Sequence, residues 1–166
     1  MDETYIGGKA GNNKHKLRKT KKKMAVLTLI DRKGEARTFH VKDVKKSTLE
    51  TIVRPNIDGY SIIMTDDNAA YDDLDKHFWK HKSVRHKETF VRGIVHTNFA
   101  ESYHSLLKRS IIGTHHHISE KHLSRYLQER EFHWNRRKAT DGERTVDAIA
   151  GAKGKRLMYR NPAAER

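Results

Sequence analysis

Three acidic residues in this sequence could form a metal site, because Asp2, Asp66 and Glu101 each lie at the end of a predicted secondary-structure element. Carboxylate oxygens from separate elements are the ligands that Mg²⁺ uses when it acts on phosphodiesters. Close carboxylates also repel one another unless they share a cation, and the chain around them has a formal net charge of +14. The pattern predicts a pair of Mg²⁺ (or Mn²⁺) ions that faces a nucleic-acid phosphate.

Each of these acids also has an ordinary structural interpretation. Asp66 ends the apolar segment YSIIM and could cap the turn that follows. Asp2 could be a solvated residue of a short strand, with Glu3 pointing to the opposite face. Glu101 could close a capping box if Asn98 is the N-cap of its helix. The residues alone leave both interpretations open for all three acids.

The predicted helix from about Asn98 to Ile112 has a polar and an apolar stripe. The polar stripe consists of Glu101, His104, Ser105 and Lys108, and the apolar stripe nearly opposite consists of Phe99, Tyr103, Leu106 and Leu107. Seven residues are two helical turns, so Lys108 lies above Glu101 on one face. A metal-binding carboxylate and a phosphate-binding lysine would use such a stripe together, although a solvated stripe has the same pattern.

The composition favours a polyanionic partner, with nucleic acid ahead of an acidic membrane surface. The chain has 35 Lys and Arg against 21 Asp and Glu, and its basic residues cluster at 14–23 and 134–138. It has no cysteine, which excludes disulfides and cysteine-ligated zinc. We interpret the consecutive His115, His116 and His117 as part of a basic, DNA-facing loop rather than as a zinc site. No apolar stretch is long enough to span a membrane, so a cytoplasmic protein is expected.

The order of predicted elements indicates a mixed α/β domain. The predicted strands cover 2–7, 24–31, 35–42 and 60–66, with a weaker candidate at 82–90. The predicted helices cover 47–55, 69–79, 98–112, 119–136 and 143–152. Ser47 and Glu50 predict a capping box for the first helix, and Ile118 and Leu123 predict a hydrophobic staple for the fourth. The basic run that ends at Lys23 is expected to be a loop.

Four motifs together resemble a known family. They are DETYIGGK (2–9), TDxxxAY (Thr65, Asp66, Ala70, Tyr71), HTNxxESxxSLLKR (96–109) and SEKHLxRYLxExxxxxNRR (119–137). In this order and at these intervals they resemble the DDE transposases of bacterial insertion sequences, specifically the ISXO-like transposase domain. The resemblance spans roughly residues 2–137.

The resemblance implies an RNase H-like (integrase-type) fold, in which helices flank a mixed central sheet. It implies that Asp2, Asp66 and Glu101 are the metal-binding catalytic residues, with Asn98 as the alternative for the third role. The implied activity is Mg²⁺-dependent cleavage of the element's 3′ end, followed by strand transfer to target DNA. The implied partners are the element ends and target DNA, in an active complex that is a homo-oligomer and has no membrane partner.

The resemblance and the charge pattern together also suggest further DNA-contacting residues. These are Lys108, Arg109, Lys21, Lys22, Lys23, Asn135, Arg136 and Arg137. For the last three, packing and phosphate contacts are both open. His104 is a further candidate for the site and stands where tryptophan is common in the family.

We expect residues 1–150 to form the catalytic domain and residues 151–166 to form a basic tail. The family usually has a zinc ribbon and a DNA-binding segment upstream, whereas Met1 here directly precedes Asp2, so we expect a truncated first strand. Two other functions stay open: a catalytically inactive DNA-binding remnant of a transposase, and an RNase H-like nuclease or resolvase. A bacterial, nucleoid-associated location follows from the resemblance.

Overall fold

The apolar run MAVLTLI forms the middle strand of a three-stranded antiparallel sheet. The computed structural model describes residues 1–7, 23–66, 68–71, 74–84 and 97–155. The strands are β1 (Asp2–Ile6), β2 (Met24–Ile30) and β3 (Ala36–Val41), in the order β1-β2-β3. In this register Asp2 lies opposite Thr28. All three strands lie where the sequence predicts them.

A second sheet contains two parallel strands, β4 (Ile62–Asp66) and β5 (Lys80–Val84). Within the described residues β4 has no ladder to the first sheet, but the Met1 nitrogen donates a hydrogen bond of 2.5 Å to the Met64 carbonyl. The weaker strand candidate at 82–90 overlaps β5, and its remainder lies outside the described residues.

Four α-helices accompany the sheets in the part of the chain that the structure describes. They are α1 (Lys46–Asn56), α2 (Asn98–Ser110), α3 (Leu123–Asn135) and α4 (Asp141–Ala152). Shorter turns lie at Ala69–Tyr71, Leu74–Lys76, Ile111–His115 and Glu120–His122. The molecule is therefore the mixed α/β protein that the sequence predicts. None of the helices in the described part is long and apolar enough to cross a membrane.

The middle strand, β2, is buried on both of its faces. Met24 and Val26 pack in one core cluster with residues of α2 and α3. Ala25, Leu27 and Leu29 pack in another, with residues of α1, β4 and the short turns. Side chains alternate along a strand, so a strand buried on both faces has a continuous apolar sequence.

The buried face of α2 differs from the predicted one. It consists of Ala100, Tyr103, His104 and Leu107. Phe99 is 40% exposed, whereas His104 is only 5% exposed. The predicted polar stripe was therefore wrong for His104. The buried face is centred between Tyr103 and Leu107 rather than on Phe99 and Leu106, which brings His104 to its edge.

The predicted capping box of α1 was also wrong. The helix begins one residue before Ser47, its N-cap is Lys45, and no side chain caps it there. Asp43 takes over part of this function, because its Oδ1 accepts hydrogen bonds from the Thr48 hydroxyl at 2.7 Å and the Lys45 nitrogen at 3.2 Å. The upstream aspartate holds the first turn in place of Ser47 and Glu50.

Other predicted helices differ from the observed elements in type or in their boundaries. The helix predicted over 69–79 is two separate 3₁₀ turns within the described residues. The helix predicted from residue 119 begins with a 3₁₀ turn, and Ile118 and Leu123 are both buried in the same core cluster. Helix α4 extends to Ala152, past the residue 150 boundary of the expected tail, and residues 156–166 lie outside the described part.

The end of α3 binds the edge of β3 that has no strand partner among the described residues. Asn135 accepts a hydrogen bond from the Ala36 nitrogen at 2.8 Å and donates one to the Ala36 carbonyl at 2.9 Å. Glu131 accepts from the Thr38 nitrogen at 2.9 Å. These side chains satisfy backbone groups that an edge strand otherwise leaves open. Asn135 therefore packs against β3, and its predicted contact with DNA stays a prediction.

Candidate metal centre

The start of β1 and the end of β4 bring three carboxylates together. Asp2, Glu3 and Asp66 each offer an oxygen atom, and these atoms lie within 4.8 Å of one another. The three residues come from two different sheets, and each side chain is half-buried. Oxygen donors at this spacing are the ligand type that a hard divalent cation binds.

Asp2 is held from two directions. Its Oδ1 accepts a hydrogen bond of 2.8 Å from the Glu3 nitrogen, and its Oδ2 lies 3.4 Å from Nδ1 of His104. The other ring nitrogen of His104 hydrogen bonds with the Thr28 hydroxyl at 2.9 Å. Because both Thr28 and His104 are buried, this chain of contacts fixes the Asp2 carboxylate to β2 and α2.

Glu3 approaches the same place from the opposite face of β1. Its Oε1 accepts a hydrogen bond of 2.6 Å from the Asn68 side chain, and its Oε2 accepts one from the Tyr71 hydroxyl. Asp2 and Glu3 contact different elements, as their predicted positions on opposite faces imply: Asp2 contacts α2, and Glu3 contacts the turn after β4. Their carboxylate oxygens nevertheless lie close together at the start of β1.

Asp66 caps the turn that follows β4 and also lies in the acidic cluster. One of its oxygens accepts a hydrogen bond of 3.3 Å from the Asn68 nitrogen, which is the turn-capping contact that its position predicts. The same carboxylate belongs to the acidic cluster. Capping this turn therefore does not remove Asp66 from the site.

Glu101 is exposed at the start of α2 and is not a member of the close acidic cluster. The N-cap of α2 is Thr97 rather than Asn98, and the Thr97 hydroxyl donates a hydrogen bond of 3.0 Å to Glu101 Oε1. Glu101 and His104 are three residues apart, which makes them neighbours on the helix surface. Glu101 thus borders the turn of α2 that contacts Asp2. Asn98, the alternative third residue, is exposed in the first turn of the same helix.

The predicted DNA-contacting residues have different surroundings. Lys23, Lys108 and Arg109 are exposed, and Lys21 and Lys22 lie outside the described residues. Arg136 pairs with Asp147 at 2.6 Å. Arg137 donates to the Gly34 carbonyl at 3.0 Å and lies over the Trp134 ring, so it makes packing contacts, and its contact with DNA stays a prediction.

Sequence reasoning missed Glu3, Asn68 and Tyr71. The available signals were the position of Glu3 beside Asp2 and the tyrosine of the TDxxxAY motif, five residues after Asp66. The buried ring of Tyr71 brings its hydroxyl to Glu3 across 68 residues of sequence. No local sequence pattern predicts a contact between residues so far apart in the chain.

A comparison of the sequence with known protein families gives a match over most of the chain. The model of the ISXO2-like transposase domain matches residues 1–135 of the 166 residues, a range that includes both β1 and β4. The chain belongs to the ISXO2-like transposase domain family. No curated protein matches the chain significantly.

Membership of the ISXO2-like transposase domain family confirms the expectation from the four motifs. It implies, in general terms, a DNA-processing protein of insertion sequences that has DNA as its partner and uses divalent metal ions. The matched range ends at Asn135, the residue that binds the edge of β3. Helix α4 lies beyond it.

The charge of Glu3 gives a pH-dependence prediction. Burial raises the pKa of Glu3 above its ordinary value of 4.5, and the charges of Asp66 and Asp2 add to this rise against the hydrogen bonds from Tyr71 and Asn68. The folded state therefore keeps the proton of Glu3 to a higher pH than the unfolded state. The contribution of Glu3 to the free energy of unfolding therefore falls as pH rises from 4.5 through the pKa of Glu3 in the folded state.

We expect the metal-free Glu3→Gln variant to lack the decrease in stability with rising pH that the ionisation of Glu3 causes. The measurement is the free energy of unfolding in urea, with a chelator present, from below pH 4.5 to neutrality for both proteins. Relative to the variant, the wild type should become less stable as pH rises. Parallel curves for the two proteins would contradict the prediction.

Proposed function

We propose that this chain is the catalytic domain of an insertion-sequence transposase, which cleaves the 3′ end of its element and joins that end to target DNA in an Mg²⁺-dependent reaction. The observation that carries the proposal is the convergence of Asp2 and Asp66. They are 64 residues apart and lie in separate sheets, yet their carboxylates share one cluster in a member of a transposase family.

We further propose that the fold is RNase H-like. Three features support this: an antiparallel β1–β3 sheet, a strand β4 that is parallel to β5 and whose carboxyl end reaches the start of β1, and helices packed on both faces of β2. In such an arrangement the strand ends hold the acids on rigid elements. Rigid support is what a metal-dependent site requires.

The residues present fit a pair of Mg²⁺ or Mn²⁺ ions, since every donor in the cluster is a carboxylate oxygen and none is sulfur or nitrogen. Asp2 and Asp66 would hold the ions, and Glu101 of α2 would supply the third carboxylate, with Asn98 as the alternative. When bound, the ions supply Lewis-acid activation of the attacking oxygen and stabilisation of the leaving oxygen.

The remaining residues position the acids and the DNA. His104 holds Asp2 against the sheet, and the Thr97 hydroxyl holds Glu101 at the start of α2. Lys108 and Arg109 are exposed at the other end of α2, where they would bind phosphate oxygens of any sequence. The excess of positive charge over the chain would attract DNA to the protein.

The test is a strand-transfer assay on a duplex that carries a pre-cut 3′ element end, with Mg²⁺ or with a chelator. We expect metal-dependent joining to a target duplex, with cutting of an uncut element end in the same conditions. Cutting without joining would instead indicate a nuclease or resolvase. Metal-independent DNA binding with neither reaction would indicate an inactive remnant.

A further inference from the structure

Asp2 and Asp66 belong to strands that share no ladder within the described residues, so other contacts must keep the two carboxylates together. The Met1 nitrogen contacts the Met64 carbonyl, but this bond lies on the backbone two residues before Asp66. The side-chain connection between β1 and the segment after β4 is formed by Glu3, Asn68 and Tyr71.

Asn68 links this connection directly to Asp66. Its side-chain nitrogen donates to Glu3 Oε1 at 2.6 Å, and its side-chain oxygen accepts from the Ala70 nitrogen at 3.0 Å. Its backbone nitrogen donates to Asp66 Oδ1 at 3.3 Å. The amide thus has both of its ends fixed, and its position sets the position of Asp66 relative to Glu3.

Tyr71 is the rigid part of the connection. Its side chain is 1% exposed and packs in the core cluster that also contains Leu74 and Phe78. Only its hydroxyl leaves the core, to donate to Glu3 Oε2. A buried aromatic ring has little freedom to move, so the hydroxyl holds the Glu3 carboxylate at a fixed place.

We propose that Glu3, Asn68 and Tyr71 form a positioning clamp that sets the separation of Asp2 and Asp66 for divalent cations. The proposal rests on the proposed function, because it assigns these residues a role at the same metal centre. In this proposal Glu3 holds β1 against the end of β4, through the hydrogen bonds that its two oxygens accept from Asn68 and Tyr71. The clamp also explains why a tyrosine follows Asp66 by five residues in the TDxxxAY motif.

Tyr71→Phe tests the clamp, because it removes the hydroxyl and keeps the ring in the core. Binding of Mn²⁺ is followed by electron paramagnetic resonance of the free ion, and the Tm of the metal-free protein reports on folding. We expect Tyr71→Phe to weaken Mn²⁺ binding about 10-fold, the lower end of the effect seen elsewhere when a residue that supports a metal site is lost. The matched control is Tyr126→Phe, whose ring contacts His115 and which should bind Mn²⁺ as the wild type does.

Two further variants make the outcome decisive. Asn68→Ala removes the other arm of the clamp from a half-buried position and replaces Tyr71→Phe as the test if that variant does not fold. Asp66→Asn reports on the metal centre itself. Wild-type Mn²⁺ affinity in Tyr71→Phe or Asn68→Ala, together with lost affinity in Asp66→Asn, would overturn the clamp and leave the proposed function standing. Wild-type affinity in Asp66→Asn would overturn both.

Discussion

Replacing Asp66 by asparagine is expected to lower Mg²⁺-dependent 3′-end cleavage about 1,000-fold, which corresponds to about 4 kcal/mol of activation free energy. Asparagine keeps a carbonyl oxygen that can accept the hydrogen bond from the Asn68 nitrogen, so the turn after β4 stays capped. It removes the negative charge that the cluster offers to a cation. The substitution therefore separates the turn capping that the structure shows from the metal binding that we propose.

The measurement is the initial rate of cleavage of an element-end duplex with Mg²⁺, together with the Tm of the variant. Asp75→Asn is the matched control, because Asp75 is an exposed acid in a short turn of the same segment. The control should cleave at the wild-type rate. Equal rates for Asp66→Asn and the wild type would show that Asp66 only caps its turn.

The sequence predicted the first sheet well because its signal is local. Successive residues of β2 alternate between the two faces of the sheet, and both faces are covered. The resulting apolar run from Met24 to Ile30 can be recognised from the sequence alone. Strand β3 and the burial of Ile118 and Leu123 in the core were also predicted from local sequence patterns. The predicted N-cap at Ser47 was wrong because Asp43, which lies upstream of the helix, accepts the hydrogen bonds of the first turn.

The candidate site was predictable only in part, for a different physical reason. Asp2 and Asp66 could be paired by the motifs, but no spacing rule brings the start of β1 to the end of β4. His104 was assigned to the exposed stripe because a helical wheel gives the angles of residues and not the direction of the core. Its burial follows from contacts with Thr28 and Asp2, which lie 76 and 102 residues earlier in the chain.

The prediction with the largest expected effect on stability concerns Trp134, which joins three parts of the molecule. Its side chain is 6% exposed, its ring contacts Tyr103 of α2 edge-to-face with 5.4 Å between centroids, and its Nε1 donates to the Gly34 carbonyl at 2.8 Å. Arg137 lies over the same ring, 4.7 Å from its centroid. Replacing this side chain by alanine would leave a cavity between α2, α3 and the β2–β3 turn.

We expect Trp134→Ala to lower the free energy of unfolding by about 3–5 kcal/mol, the range for large aromatic side chains in a core. For a chain of this length that loss corresponds to a decrease in Tm of about 6–20 °C. Trp79 provides the matched control, since it is 70% exposed and its alanine variant should stay within about 0.5 kcal/mol of the wild type. Urea unfolding of both variants measures the difference. Equal losses for the two tryptophans would mean that the end of α3 is not packed against α2 and the β2–β3 turn in solution, and the support that α2 gives to Asp2 through His104 would then have to be reconsidered.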